Sequence, residues 1–329
     1  MVASIAKHSR SFGYEVSVVF LEEGPLIAAL TDAGIAANAV PWTANRDDLP
    51  GAWRLWRWLR KHPADIAHVH SGGLTLRLVC RLAGVDAIVQ HIHGRIIEPI
   101  GTSVSQLSFR GADAVIACSQ AVADCLPQCR TQVIYAGVET GSHPPTAKVN
   151  TGPLKLGVLA RLIPLKNVES LINATARLRG IGIEIQVEIA GSGPSESALR
   201  ELATKLGVAD LVRFIGWQVD VDRLLASWDL LVIPSLEEGF PIAALEAMAA
   251  AKPVLASRVG GLPEVVVDRV TGRLFPPGDT DALVQCIAEL ANDRQRLVVM
   301  GTEGWKRAHS LFSAERMTQQ TAHVYDGLL

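Results

Sequence analysis

Leu230-Leu-Val-Ile-Pro-Ser-Leu-Glu-Glu-Gly-Phe-Pro-Ile-Ala-Ala-Leu-Glu246 decides how the rest of the chain is read. The apolar run Leu230–Pro234 has the length and branching of a buried strand, ended by a Pro-Ser turn. Pro241 suits the first turn of a helix, where its missing N–H costs nothing. Ala243 to Ala251 are strong helix formers, and Lys252-Pro253 stops them. Glu238 is therefore expected in a loop at the carboxyl edge of a strand, and Glu246 one to two turns into the helix. The backbone N–H groups of Gly239 and Phe240 fall near that helix's positive end, where hydroxyl or anionic oxygens are favoured. A strand, a loop and a helix in this order form one unit of an α/β fold.

Two further stretches repeat the arrangement. Leu154-Lys-Leu-Gly-Val-Leu-Ala reads as a strand delivering Arg161 to its end, with Lys166 on the following loop. A guanidinium that forks two oxygens and an ammonium beside it suit a diphosphate. The plain alternative is two solvated surface cations. Glu184–Ala190 is a strand followed by Gly191-Ser-Gly193-Pro and a helix over Glu196–Leu206, with Ser195 as its cap. As a dinucleotide fingerprint this fails, because Glu196 stands where a third glycine belongs.

These stretches resemble, in order and spacing, the retaining GT-B glycosyltransferases of family 4, the group 1 glycosyltransferases. Two glutamates with seven residues between them and Gly-Phe-Pro after the first are that family's motif. The resemblance implies two Rossmann-like doubly wound domains facing a cleft, and transfer of a sugar from a nucleotide-diphosphate sugar to a hydroxyl acceptor with retention. It implies that Glu238 and His93 act on the donor sugar as catalytic residues. It implies that Arg161, Lys166, Gly239, Phe240, Glu246, Gly191 and Gly193 bind the donor, Glu246 through the ribose hydroxyls. Ala160 and Asn167 depart slightly from the family's Gly-Arg-Leu-x-x-x-Lys-Gly. No cofactor and no required metal are implied, the nucleotide sugar being a co-substrate. Polysaccharide or glycolipid biosynthesis is the expected setting. The alternatives are an inactive nucleotide-sugar-binding protein and a nucleotide-sugar epimerase of the same shape.

At 329 residues the chain suits two domains of about 150 residues each. The expected boundaries are 1–145 for an acceptor-side domain, 146–310 for a donor domain, and 311–329 for a terminal helix that crosses back. Residues 141–152, rich in Pro, Thr and Ser, read as the linker. Hydrophobic content of 49% with 19% charged residues argues for large cores, and a net charge of −2 against a nucleic-acid binder. Five cysteines at irregular spacing read as reduced thiols rather than a zinc set. The chain opens on an amphipathic helix ended by Gly13, where the family has a first strand and a Gly-Gly loop before this helix. The expectation is a fragment or a late start.

No apolar run is long enough to span a bilayer, and a cytoplasmic location is expected. Trp53-Arg-Leu-Trp-Arg-Trp-Leu-Arg-Lys61 has two readings. It is either an ordinary amphipathic helix covering the sheet, or a peripheral contact with the inner face of a membrane and a lipid-linked acceptor through Trp53, Trp56 and Arg57. His68/His70 and His91/His93 alternate along two strands, so each pair faces one way. His93-Gly94 resembles the family's active-site histidine, and the others read as packing or turn residues. Asp220-Val-Asp222 and Asp279-Thr-Asp281 match a metal-binding D-x-D pattern, but both precede helices and read as caps.

Overall fold

The computed structural model describes residues 1–43, 47–70, 73–94, 111–126, 131–145 and 151–329. Ser71, Gly72, Arg110, Cys129 and residues 146–150 of the expected linker lie outside them. The chain forms two compact units, Met1–Gly137 with Ala314–Leu329, and Val138–Ser313.

The first unit runs α1 (Val2–His8), β1 (Ser17–Phe20), α2 (Pro25–Asp32), β2 (Ala36–Ala39), α3 (Leu49–Lys61), β3 (Ile66–Val69), α4 (Leu74–Ala83), β4 (Ala87–Ile92), β5 (Ala114–Ala117), α5 (Gln120–Ala123) and β6 (Thr131–Val133). Its strands pair in parallel throughout, in two sheets, β1-β2 and β3-β4-β5-β6. A cavity of about 560 Å³ is lined by Ser17 to Val19 of β1 and by Ile66 and His68 of β3, the facing edges of those sheets. β4 is buried almost throughout, as the middle of a covered parallel sheet requires. α5 is a single turn capped by Ser119, whose hydroxyl accepts from Val122 N–H at 3.1 Å.

The second unit runs β7 (Leu154–Leu159), α6 (Val168–Gly180), β8 (Ile185–Ala190), α7 (Glu196–Lys205), β9 (Val212–Gly216), α8 (Val221–Ser227), β10 (Leu230–Ile233), α9 (Ile242–Ala249), β11 (Val254–Ser257), α10 (Leu262–Val265), β12 (Gly272–Phe275), α11 (Thr280–Asn292) and α12 (Arg294–Leu311). The closing helix α13 (Ala314–Asp326) groups with the first unit. The six strands form one parallel sheet in the order β9-β8-β7-β10-β11-β12, the doubly wound order with its reversal between β7 and β10. Leu154, Leu156 and Val158 of β7, Ile185, Val187 and Ile189 of β8, and Leu171, Ile172 and Leu178 of α6 meet in its core. Each of these side chains is worth roughly 1.5–3 kcal/mol when removed from water.

Two local expectations change, and one holds. Pro241 is the residue before α9 and not inside its first turn, its carbonyl accepting from Ala244 N–H. Ser195 precedes α7 but makes no side-chain cap, because its backbone is already helical (φ −84, ψ −5). Asp220 and Asp279 do cap α8 and α11, accepting from Arg223 N–H at 3.0 Å and Ala282 N–H at 2.9 Å.

Candidate functional site

In a doubly wound sheet the crevice lies beyond the carboxyl ends of the strands flanking the reversal. In the second unit those strands are β7, which leads to Arg161, and β10, which leads to Glu238. Two cavities open there. One of about 270 Å³ is lined by Arg161, Lys166, Ser235, Glu238, Phe240 and Ile242 among others. The other, of about 610 Å³, is lined by Arg161, Gly191, Gly193, Trp217, Gln218 and Glu246 among others. Leu159, Ala160, Arg161 and Ala243 line both, so the two adjoin along the end of β7 and the first turn of α9.

Lys166 and Glu238, 72 positions apart, meet in an ion pair of 2.6 Å between Nζ and Oε2. Lys166 reaches it from a single 3-10 turn, Pro164–Lys166, which ends at Asn167 in the left-handed region (φ 48). Asn167 holds that bend by donating from Nδ2 to the Pro234 carbonyl at 3.2 Å, which ties the cationic loop to the acidic one. The sequence signalled Asn167 only as a departure from glycine; either residue tolerates this backbone, but asparagine adds the tether.

Glycines set the approach of these loops. A Cβ on Gly191 (φ +128) would lie 1.9 Å from the Ala160 carbonyl oxygen, and one on Gly260 (φ +50) 1.6 Å from that of Glu238. The Gly191–Gly193 turn therefore supports the backbone that carries Arg161, and Gly260 supports the loop that carries Glu238. Leu162 N–H donates to the Ser192 carbonyl at 2.9 Å, and Gly261 N–H to that of Glu238 at 3.3 Å, in the same two contacts.

Glu246 lies on α9 at the larger cavity, where burial and then the charge of Asp222 raise its carboxyl above the ordinary range. Trp217, 68% exposed, forms another wall of that cavity and presents an open aromatic face. Phe240 has its ring buried against Phe312, centroids 6.0 Å apart. Ser235 was not singled out by sequence. Its Oγ is buried without a hydrogen-bond partner among the described residues, on the smaller cavity's wall.

His93 belongs to the first unit, just past β4, and its Nε2 lies 2.9 Å from Nδ1 of His70. His68 and His91 join these two in a ladder across β3 and β4, rings stacked at centroid separations of 4.3–5.3 Å. Burial pushes His93 down to about 4, with the N-terminal ammonium adding to the effect, and burial pushes His68 down to about 3. His70 and His91 are lowered for the same first reason. Cys80, Cys118, Cys125 and Cys286 are free thiols. Among the described residues no helix is long and apolar enough to cross a membrane.

Comparison with known proteins follows this division of the chain. Residues 142–307 match the family model described as glycosyl transferases group 1, and residues 1–142 the one described as glycosyltransferase family 4. The chain is 31% identical over 307 residues to N-acetyl-α-D-glucosaminyl L-malate synthase of Bacillus anthracis, covering 86% of this chain and 80% of that protein. It is 38% identical over 170 residues to the MMP α-(1→4)-mannosyltransferase of Mycolicibacterium hassiacum, which is 50% of this chain and only 40% of that one. Among solved structures, HepE of Anabaena in complex with UDP-glucose superposes with a TM-score of 0.85 at 23% identity, covering 99% of this chain and 94% of that chain. At that identity the likeness establishes the fold, a GT-B arrangement of two Rossmann-like domains.

Proposed function

This chain belongs to the group 1, family 4 glycosyltransferases, and from that premise we propose that it moves a sugar from a nucleotide-diphosphate sugar to a hydroxyl acceptor with retention at the anomeric carbon. The supporting observation is the convergence of Arg161, Lys166, Glu238 and Glu246 on two adjoining cavities at the β7/β10 reversal.

In this reading the diphosphate takes the smaller cavity, where Arg161, Lys166 and the first-turn amides of α9 stabilise the charge that develops as the anomeric bond breaks. Glu246 accepts from the ribose hydroxyls, and Trp217 offers its face to the base. Glu238, with the Gly239 and Phe240 backbone, holds the sugar, and His93 contacts it. The Gly191–Gly193 turn serves the nucleotide by fixing Arg161. No enzyme nucleophile and no metal are called for, since both D-x-D candidates spend an aspartate on a helix cap.

The test is calorimetric titration of UDP and GDP into the wild type, Arg161→Ala and Glu246→Ala. One nucleotide is expected to bind, and both substitutions to weaken it; binding that neither substitution changes would remove the donor site from this crevice. Transfer to an added acceptor, followed by product linkage, separates a transferase from an epimerase or an inactive binder.

A peripheral membrane contact is supported by α3, where Trp53 is 55% and Trp56 37% exposed and the Arg57 guanidinium stacks over the Trp53 ring at 5.3 Å. A glycolipid or lipid-linked polysaccharide acceptor, met at the inner face of a membrane, fits such a contact. Co-sedimentation with anionic vesicles that Trp53→Ala abolishes is the expected result, and pelleting unchanged by that substitution counts against it.

A further inference from the structure

The histidine ladder of the first unit contains a bond it cannot make. His68 is engaged at both ring nitrogens, by the Tyr325 hydroxyl at 2.6 Å on Nδ1 and by His91 Nδ1 at 3.1 Å on Nε2. His91 commits Nδ1 to that contact. Its Nε2 is buried, in a residue 1% exposed, with no hydrogen-bond partner among the described residues. Tautomers do not repair this, because an Nε2–H there lacks an acceptor and a bare Nε2 lacks a donor. His70, stacked on both His68 and His91, uses Nδ1 toward His93 and leaves Nε2 over.

We propose that His68, His70 and His91 form a binding site for one borderline divalent transition-metal ion of the zinc type. Each offers a ring nitrogen, and these nitrogens lie within 4.8 Å of one another. Three nitrogens on one tetrahedral ion, bonded at about 2.0–2.1 Å, stand roughly 3.3 Å apart. Rotation of the rings about χ1 and χ2, which exchanges the His68–His91 contact for the ion, would close the difference. The donor set is all imidazole, with no carboxylate in the group, which selects zinc, cobalt, nickel or copper and disfavours magnesium and calcium. The Tyr325 hydroxyl already fixes the His68 ring from its far nitrogen, as outer partners of metal-bound histidines do. His68 and His70 line the cavity of about 560 Å³, which supplies an entry path. A bound ion would tie β3 to β4 at their carboxyl ends. This site is independent of the sugar-transfer reading and of any metal requirement for it.

The experiment uses the whole chain, stripped of metal and titrated with Zn²⁺ against a chromophoric chelator, with Co²⁺ as a spectroscopic probe. One equivalent bound at micromolar or tighter affinity is expected, with the visible bands of four-coordinate Co²⁺ and a zinc-dependent rise in Tm. His70→Gln, at the accessible side of the ladder, and His91→Gln are each expected to weaken binding at least tenfold, with Mg²⁺ giving no response. Should His91→Gln fail to fold, His70→Gln with the cobalt spectrum decides alone. Absence of stoichiometric binding, or binding and cobalt bands unchanged in His70→Gln, overturns the proposal.

Discussion

Replacing Glu238 by glutamine should tighten UDP binding while impairing sugar transfer. The argument starts from the 2.6 Å pair between Lys166 Nζ and Glu238 Oε2. At an effective dielectric of about 20 its gross Coulomb energy is roughly 6 kcal/mol. The side chains are 24% and 13% exposed, so neither is fully desolvated, and solvent screening reduces the net value to about 1–2 kcal/mol. An incoming diphosphate competes with Glu238 for the same ammonium. Glu238→Gln removes that competition and should lower the Kd for UDP about 5- to 30-fold. Lys166→Met removes a charge-assisted hydrogen bond of about 1.5–3 kcal/mol and should raise Kd about 10- to 150-fold. The double variant should bind like Lys166→Met, since without the ammonium the carboxylate has nothing to withhold. Calorimetry on the four proteins, at two salt concentrations, reads all three numbers. A Glu238→Gln protein that binds UDP no better than wild type would refute the reasoning, because Lys166 would then not be the diphosphate's cation.

Other outcomes follow from the same structure. Glu246 has a raised pKa from burial and Asp222, and ribose hydroxyls bind its ionised form. UDP affinity should therefore fall as pH drops through that pKa with proton release on binding, seen as buffer-dependent heats, and Glu246→Gln should abolish both. The depressed histidines act on stability with the opposite group sign, being neutral when folded but charging in the unfolded chain below about pH 6.5. His68 should cost about 2 kcal/mol at pH 5 and His91 acts in the same direction, so urea midpoints drop between pH 7 and pH 5, and a His68→Asn, His91→Asn protein should show a shallower drop. Gly191→Ala forces a Cβ to within 1.9 Å of the Ala160 oxygen at φ +128; a loss of more than about 2 kcal/mol by thermal unfolding is expected, with weaker UDP binding through Arg161.

Much of the second unit was legible along the chain. The apolar run before Pro234 is short and continuous because a parallel strand is covered on both faces, and β10 is buried throughout. Arg161, Gly191 and Glu238 each follow such a run, so strand ends alone bring them to one edge of the sheet. Helix caps were equally local, as Asp220 and Asp279 show, since a cap is decided within three residues. Local rules failed at Ser195, whose backbone is already helical, and at Pro241, which stands one residue before the helix it was expected to open.

Sequence alone determined the order of strands and helices, the glycines at strand ends and the family motif around Glu238, because each rests on spacing within a few residues. Tertiary structure alone decided which of these residues touch. That Lys166 is paired with Glu238, that Gly191 supports Arg161, and that the strands of the first unit divide into two sheets all depend on contacts between distant segments. The four histidines are the sharpest case. Alternation along each strand placed two rings on one face, but only the register of β3 against β4, His68 beside Val89, stacks the pairs and leaves His91 Nε2 without a partner. Register is a long-range choice, set by which core closes, and no local signal carries it.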